Sequence, residues 1–93
     1  MLAPVVDLFV YGSQLLAAGK TDKALEVVTL NQRQHPDEVY WTHLGLARVY
    51  AATGDTPGAI TQLELVLRNV PQSHQPNIPL YEKTLKDLKT RQE

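Results

Sequence analysis

Apolar residues fall at helical spacing in five successive stretches, and each stretch is bounded by glycine, proline or a short polar residue. In the first, Pro4 suits an opening turn, where its missing N–H costs nothing. Gly19 follows the last periodic residues as a left-handed stop, which predicts helix one over about 4–18. Thr21 then offers a capping hydroxyl, Asp22 favours the positive helix end and Pro36 halts the run, which predicts helix two over about 22–34. The same punctuation returns with Asp37 as cap and Gly54 as stop, then with Thr56-Pro57 as cap and first-turn proline and Pro71 as terminator. Helices three and four are expected over about 38–53 and 57–69. A loop from Pro71 to Pro76 leads to Ile78, Tyr81, Leu85 and Leu88, spaced three, four and three apart. That is one apolar stripe on a helix over about 77–92. The opposite face carries Glu82, Lys83, Lys86, Asp87, Lys89 and Arg91, with Glu82 and Lys86 four apart as a favourable pair. No stretch alternates with period two, so the expected class is all-α, with five helices and no strand.

The recurring punctuation reflects an internal repeat. Shifting the chain by 35 residues pairs Ala17 with Ala52, Gly19 with Gly54, Thr21 with Thr56, Ala24 with Ala59, Leu30 with Leu65, Arg33 with Arg68 and Pro36 with Pro71. Conservative pairs fall between them, including Gly12 with Ala47, Val28 with Leu63 and Phe9 with Leu44. Duplication of a helical hairpin accounts for this register.

A small residue in the first helix (Gly12, Ala47), glycine at the hairpin turn (Gly19, Gly54), alanine five residues on (Ala24, Ala59) and proline twelve beyond (Pro36, Pro71) together resemble the tetratricopeptide repeat. The resemblance covers about 5–38 and 40–73, and 77–92 is similar to the polar helix that closes such arrays. It implies one domain over 1–93, a right-handed superhelical array of antiparallel hairpins in which small residues mark where paired helices touch. That contact also rationalises Gly12 in mid-helix, a position that costs about 1 kcal/mol in isolation. Two departures stand out: the period is 35 rather than 34, and Asn31 replaces the small apolar residue expected late in the second helix. More narrowly, Ala24 to Asn31 with His35-Pro36, then Leu46 to Tyr50 with Gly54-Asp55, is similar to repeat pairs appended to the C-terminus of some bacterial hydrolases and exported enzymes.

Composition narrows the classes further. The chain has 93 residues and a net charge of −1, which argues against a nucleic-acid or anionic-membrane footprint, since both need clustered positive charge. A chain this short buries only roughly 60–65% of its unfolded surface, and without cysteine it has neither disulfide nor zinc-thiolate site to reinforce it. The start, Met1 to Asp7, carries no Lys or Arg before its apolar run and reads poorly as a secretory signal. The apolar run from Val5 to Ala18 is also too short for a bilayer, which takes about 20 residues. Absence of cysteine suits a cytoplasmic protein and equally suits many exported bacterial ones, so the compartment stays open.

Catalytic chemistry finds little support. Ser13 lies in Tyr11-Gly12-Ser13-Gln14, which lacks the second glycine and the strand-turn-helix setting of a nucleophile elbow, and reads as a helix-surface serine. His35, His43 and His74 make no pair at helical ligand spacing, so no metal site is expected, and His43 reads as a helix-interface residue. Asp37-Glu38 sits at a helix start, where the macrodipole explains it. No glycine-rich phosphate loop and no cofactor motif is present. The expectation is a non-enzyme.

The resemblance places a concave groove on the first helix of each hairpin, which here implies Val6, Phe9, Ser13, Leu16, Trp41, Leu44, Arg48 and Ala51 as partner-facing residues. The groove is mostly apolar. Arg48 alone can meet an anion, which disfavours the carboxylate-gripping mode seen in some members of that family. The plainer reading, that Phe9, Leu44 and Trp41 simply pack between helices, stands beside it. The expected function is a protein or peptide interaction module without activity of its own; the alternative is an accessory segment that docks on the catalytic domain of a larger hydrolase. Helix one is apolar all round, with only Asp7, Ser13 and Gln14 strongly polar, so something should cover its outer face. An upstream domain would do so, and in the isolated chain the expectation is self-association through Val10 and Phe9, most simply as a two-fold dimer.

Overall fold

The structure is a computed structural model that describes residues 3–92; the reading of the Met1-Leu2 start and the charge of Glu93 lie outside them. Five α-helices follow one another, α1 (Val5–Ala17), α2 (Thr21–Gln34), α3 (Val39–Thr53), α4 (Thr56–Leu67) and α5 (Ile78–Gln92), and no strand occurs among the described residues. The segment expected as a loop before α5 is instead a 3-10 turn, Gln72–Asn77, with Pro76 inside it. No described helix is long and apolar enough to cross a membrane.

The two hairpin turns are built alike. Gly19 and Gly54 take φ of 77° and 84°, a region open to glycine and strained for other residues. In the first turn the Lys20 N–H donates to the Leu15 carbonyl (2.8 Å) and the Gly19 N–H to Leu16 (3.0 Å); in the second Asp55 donates to Tyr50 (2.9 Å) and Gly54 to Ala51 (3.3 Å). Each pair is a Schellman closure, and its repetition 35 residues apart is the structural face of the sequence register.

These closures correct the expected caps. The residue after each glycine ends one helix and begins the next: the Lys20 and Asp55 carbonyls already accept from Ala24 and Ala59, both at 2.9 Å. Lys20 rather than Thr21 therefore flanks α2, without a side-chain cap. Asp55 rather than Thr56 caps α4, its carboxylate accepting from the Gly58 N–H at 3.0 Å. Asp37 does not cap α3 either; Glu38 occupies that place with no side-chain bond. Helix four also stops earlier than expected, at Leu67.

The α1–α2 and α3–α4 hairpins stack through α3, which packs against both α1 and α2. Val28 of α2 sits at this junction. Its Cγ1 methyl lies where a Cβ on Gly12 would come within 2.9 Å and a Cβ on Gly45 within 3.1 Å, so the two glycines admit one valine between α1 and α3. A second buried cluster joins Leu44, Ala59, Leu63 and Val66 to Tyr81 and Leu88 of α5. As expected, Tyr81 and Leu88 are the buried residues of α5, with Ile78 and Leu85 half-buried beside them. The Glu82–Lys86 pair is not formed; Lys89 reaches instead to Glu64 on α4, at 3.5 Å and largely in solvent, where such a pair contributes little.

Asn31, the departure from the repeat, is buried and donates its Nδ2 to the Val5 carbonyl at 3.0 Å. One turn later His35 donates Nε2 to the Ala3 carbonyl at 2.7 Å, so α2 fastens the entry of α1 at two points. The equivalents 35 residues on are Val66 and Val70, apolar residues facing the second cluster.

Candidate interaction surface

α5 does not repeat the placement of the first helices. It packs on α4 and on the 3-10 turn, and its Cα atoms stay more than 8 Å from those of α3, whereas α1 and α3 approach within that distance. The gap is a cleft of about 180 Å³ lined by Leu44, Ala47, Arg48 and Ala51 of α3, Leu63 of α4, and Leu80, Tyr81, Thr84 and Leu88 of α5. Side chains bridge it at one end, where the Tyr40 and Tyr81 hydroxyls share a hydrogen bond of 2.5 Å. Burial first, then this bond, push the Tyr40 phenol up to about 12. His74 of the 3-10 turn closes the same corner, its ring 5.1 Å from Trp41 and 5.3 Å from Tyr40.

The groove residues read from the sequence separate into three groups. Phe9 and Leu44 are buried, Phe9 lying edge-on to Trp41 with centroids 5.0 Å apart; Phe9 belongs to the core, whereas Leu44 also lines the cleft. This also removes Phe9 from direct self-association and leaves Val10, 44% exposed, as the surface member of that pair. Leu16 is half-buried against the other cluster, near the hairpin turn and away from the cleft. Val6, Ser13, Trp41, Arg48 and Ala51 stay accessible or partly so.

Arg48 organises this face. Its guanidinium stands 5.0 Å from the Phe9 ring centroid, a cation–π distance, and its Nη1 points at the Ser13 Oγ from 3.4 Å. Ser13 is thus an acceptor across the hairpins. No carboxylate pairs with Arg48 among the described residues.

The contribution of α5 is what sequence reasoning missed. Leu80 is 62% exposed on the lip of the cleft, the most exposed large apolar residue described. The signal was present: Leu80 stands outside the stripe of Ile78, Tyr81, Leu85 and Leu88, a leucine that the buried face does not need.

The histidines hold structure. His35 ties down the chain before α1, His43 donates Nδ1 to Gln62 Oε1 across α3 and α4 at the interface expected for it, and His74 Nδ1 shares a hydrogen bond with the Ser73 hydroxyl at 2.9 Å. Among the described residues no three of His, Asp and Glu converge as metal ligands would. No protein-family model matches the chain, and neither a curated protein nor a solved structure matches it significantly.

Proposed function

We propose that this chain is a non-catalytic interaction module of the tetratricopeptide type, taking a peptide segment of a partner protein on the face formed by α1, α3 and α5. The observation that carries the reading is the α3–α5 cleft, an apolar slot with a single charge, Arg48, at its rim. At about 180 Å³ it falls below the roughly 300–1,000 Å³ usual for small-molecule pockets and suits one bulky aliphatic side chain. The guanidinium is held by Phe9 and Ser13, uncompensated by an acid, and so favours an aspartate or glutamate close to that anchor. The paired Schellman turns and the Val28 contact with Gly12 support the repeat reading.

Selection of displayed random peptides on the immobilised chain tests this. Enriched sequences should carry an aliphatic residue beside an acidic one. Arg48→Glu and Leu80→Asp, both at exposed positions, should each weaken the selected peptide about tenfold or more while helicity is unchanged, and a peptide with Lys for its acid should recover on Arg48→Glu. Selected peptides that bind both variants as well as the parent would disprove the reading.

A further inference from the structure

The second stack of helices copies the first with larger residues at its joint. Between α1 and α3 the joint is made by Gly12, Val28 and Gly45. The 35-residue register carries Gly12 and Val28 to Ala47 and Leu63. Into the last helix the register lengthens, because α3 begins at Val39 and α5 at Ile78, so the spacing there is 39 residues. On that spacing the buried Tyr81 and Leu88 fall on Thr42 and Val49, which are 1% and 0% exposed, and Gly45 corresponds to Thr84. All three joint residues are thus larger in the second stack, and all three line the cleft. The Thr84 hydroxyl donates to the Leu80 carbonyl at 2.9 Å, which pins its rotamer. Where the glycines let α1 and α3 approach, the larger set leaves no Cα of α5 within 8 Å of one in α3.

From this we infer that Ala47, Leu63 and Thr84 are the specificity-determining residues of the cleft: their bulk props α5 off α3 at a width that admits one aliphatic side chain. For its function the inference rests on the peptide reading; for its geometry it does not. The same register shows what loss of the props would bring. Leu80 corresponds to Trp41 and Leu44 to Phe9, so an unpropped α5 would lay Leu80 on Leu44 as Trp41 lies on Phe9. Asp87 corresponds to Arg48 and Arg48 to Ser13, so the Arg48–Ser13 contact would return as an Arg48–Asp87 ion pair. Leu80 and Asp87 are both exposed, and Asp87 belongs to no ion pair among the described residues. An aliphatic residue and an acid are the two groups the cleft favours in a peptide. The props therefore keep the site from being filled by its own wall.

Spin labels at Ala52→Cys on α3 and Arg91→Cys on α5, both exposed and at the end away from the Tyr40–Tyr81 bond, measure the gap in a chain that has no other cysteine. Adding Ala47→Gly, Leu63→Val and Thr84→Gly, which reproduces the first joint, should shorten the distance between labels by several ångström, and Asp87→Lys on that background should lengthen it again. An unchanged or longer distance in the folded triple variant overturns the inference and leaves the peptide reading standing. Where the triple variant loses helicity, Thr84→Gly alone, at an exposed position, should shorten the distance by part of that amount, and no change there overturns the inference equally. In the opposite direction, Thr84→Leu should weaken a selected peptide with a leucine anchor about tenfold or more and spare one with alanine in its place; equal effects on both count against the props as the size filter. Failure of the peptide reading shows separately, as an absence of selected peptides, and does not touch the distances.

Discussion

Gly12→Ala sets two effects of comparable size against each other, and the packing around Val28 decides between them. In an isolated helix interior the exchange stabilises by about 1 kcal/mol. Here the added methyl would lie 2.9 Å from Val28 Cγ1. Valine in a helix is held to one χ1 rotamer, so that methyl cannot rotate aside cheaply, and on its other flank the same atom already stands close to Gly45. Overpacking of a site that cannot relax costs about 1–3 kcal/mol, and this one belongs at the upper end, which leaves Gly12→Ala destabilised by roughly 1–2 kcal/mol. Val28→Ala alone removes two methyl groups, about 0.8 kcal/mol each, and leaves a void, for a loss of about 2–3 kcal/mol. On that background Gly12→Ala has room and should stabilise by about 1 kcal/mol, so the cycle should show a coupling of about 2–3 kcal/mol. Urea unfolding followed at 222 nm measures all four corners. A stabilising Gly12→Ala in the parent chain, or a coupling near zero, would refute the argument that one valine fills the space of two glycines.

Two further outcomes follow from the turns and the tyrosine pair. Asp55→Ala should cost about 1 kcal/mol and Thr56→Ala little, because the Asp55 carboxylate makes the capping bond; equal costs by denaturation would return the cap to Thr56. The Tyr40 phenol, raised from 10.0 to about 12 in the folded chain, favours its neutral form there. Its contribution is therefore complete below pH ~10 and is lost as pH rises toward ~12, up to about 2–3 kcal/mol. Tyr40→Phe should flatten this alkaline loss in pH-dependent unfolding, and a parent chain equally stable at both ends of the window would count against it.

The fold was legible because its signals are local. Helical periodicity, the two glycine stops and the 35-residue register each act within one or two turns of chain, and together they define five helices and the close contact at Gly12. The caps were misread by one residue for a physical reason: a Schellman turn feeding directly into a helix makes the residue after glycine serve both ends, so Thr21 and Thr56 are already inside. The candidate site was legible only in part. Arg48, Ser13 and Trp41 follow from repeat position, but Phe9 and Leu44 share that spacing and are buried, since position along a helix does not say how far a neighbour covers it. The α5 wall with Leu80 depends on how the last helix meets α4, which a 3-10 turn decides and no periodicity records.

The seating of α5 has a consequence for how the molecule opens. α1, α2, α3 and α4 are each gripped by at least two other helices, while α5 is held by α4 and the turn before it. Its release breaks the Tyr40–Tyr81 bond and one solvent-exposed ion pair and uncovers the buried Tyr81 and Leu88, yet leaves the Schellman turns of both hairpins and the Val28 wedge in place. The last helix is therefore a separate cooperative unit, undone at lower free energy than the body it covers. Each release bares Leu63 and Val66, which the tethered α5 re-covers first and the α5 of another molecule covers only at high concentration. With the proline-bearing segment from Pro71 to Pro76 as the hinge, exchange of the terminal helix between chains is the failure mode this architecture carries.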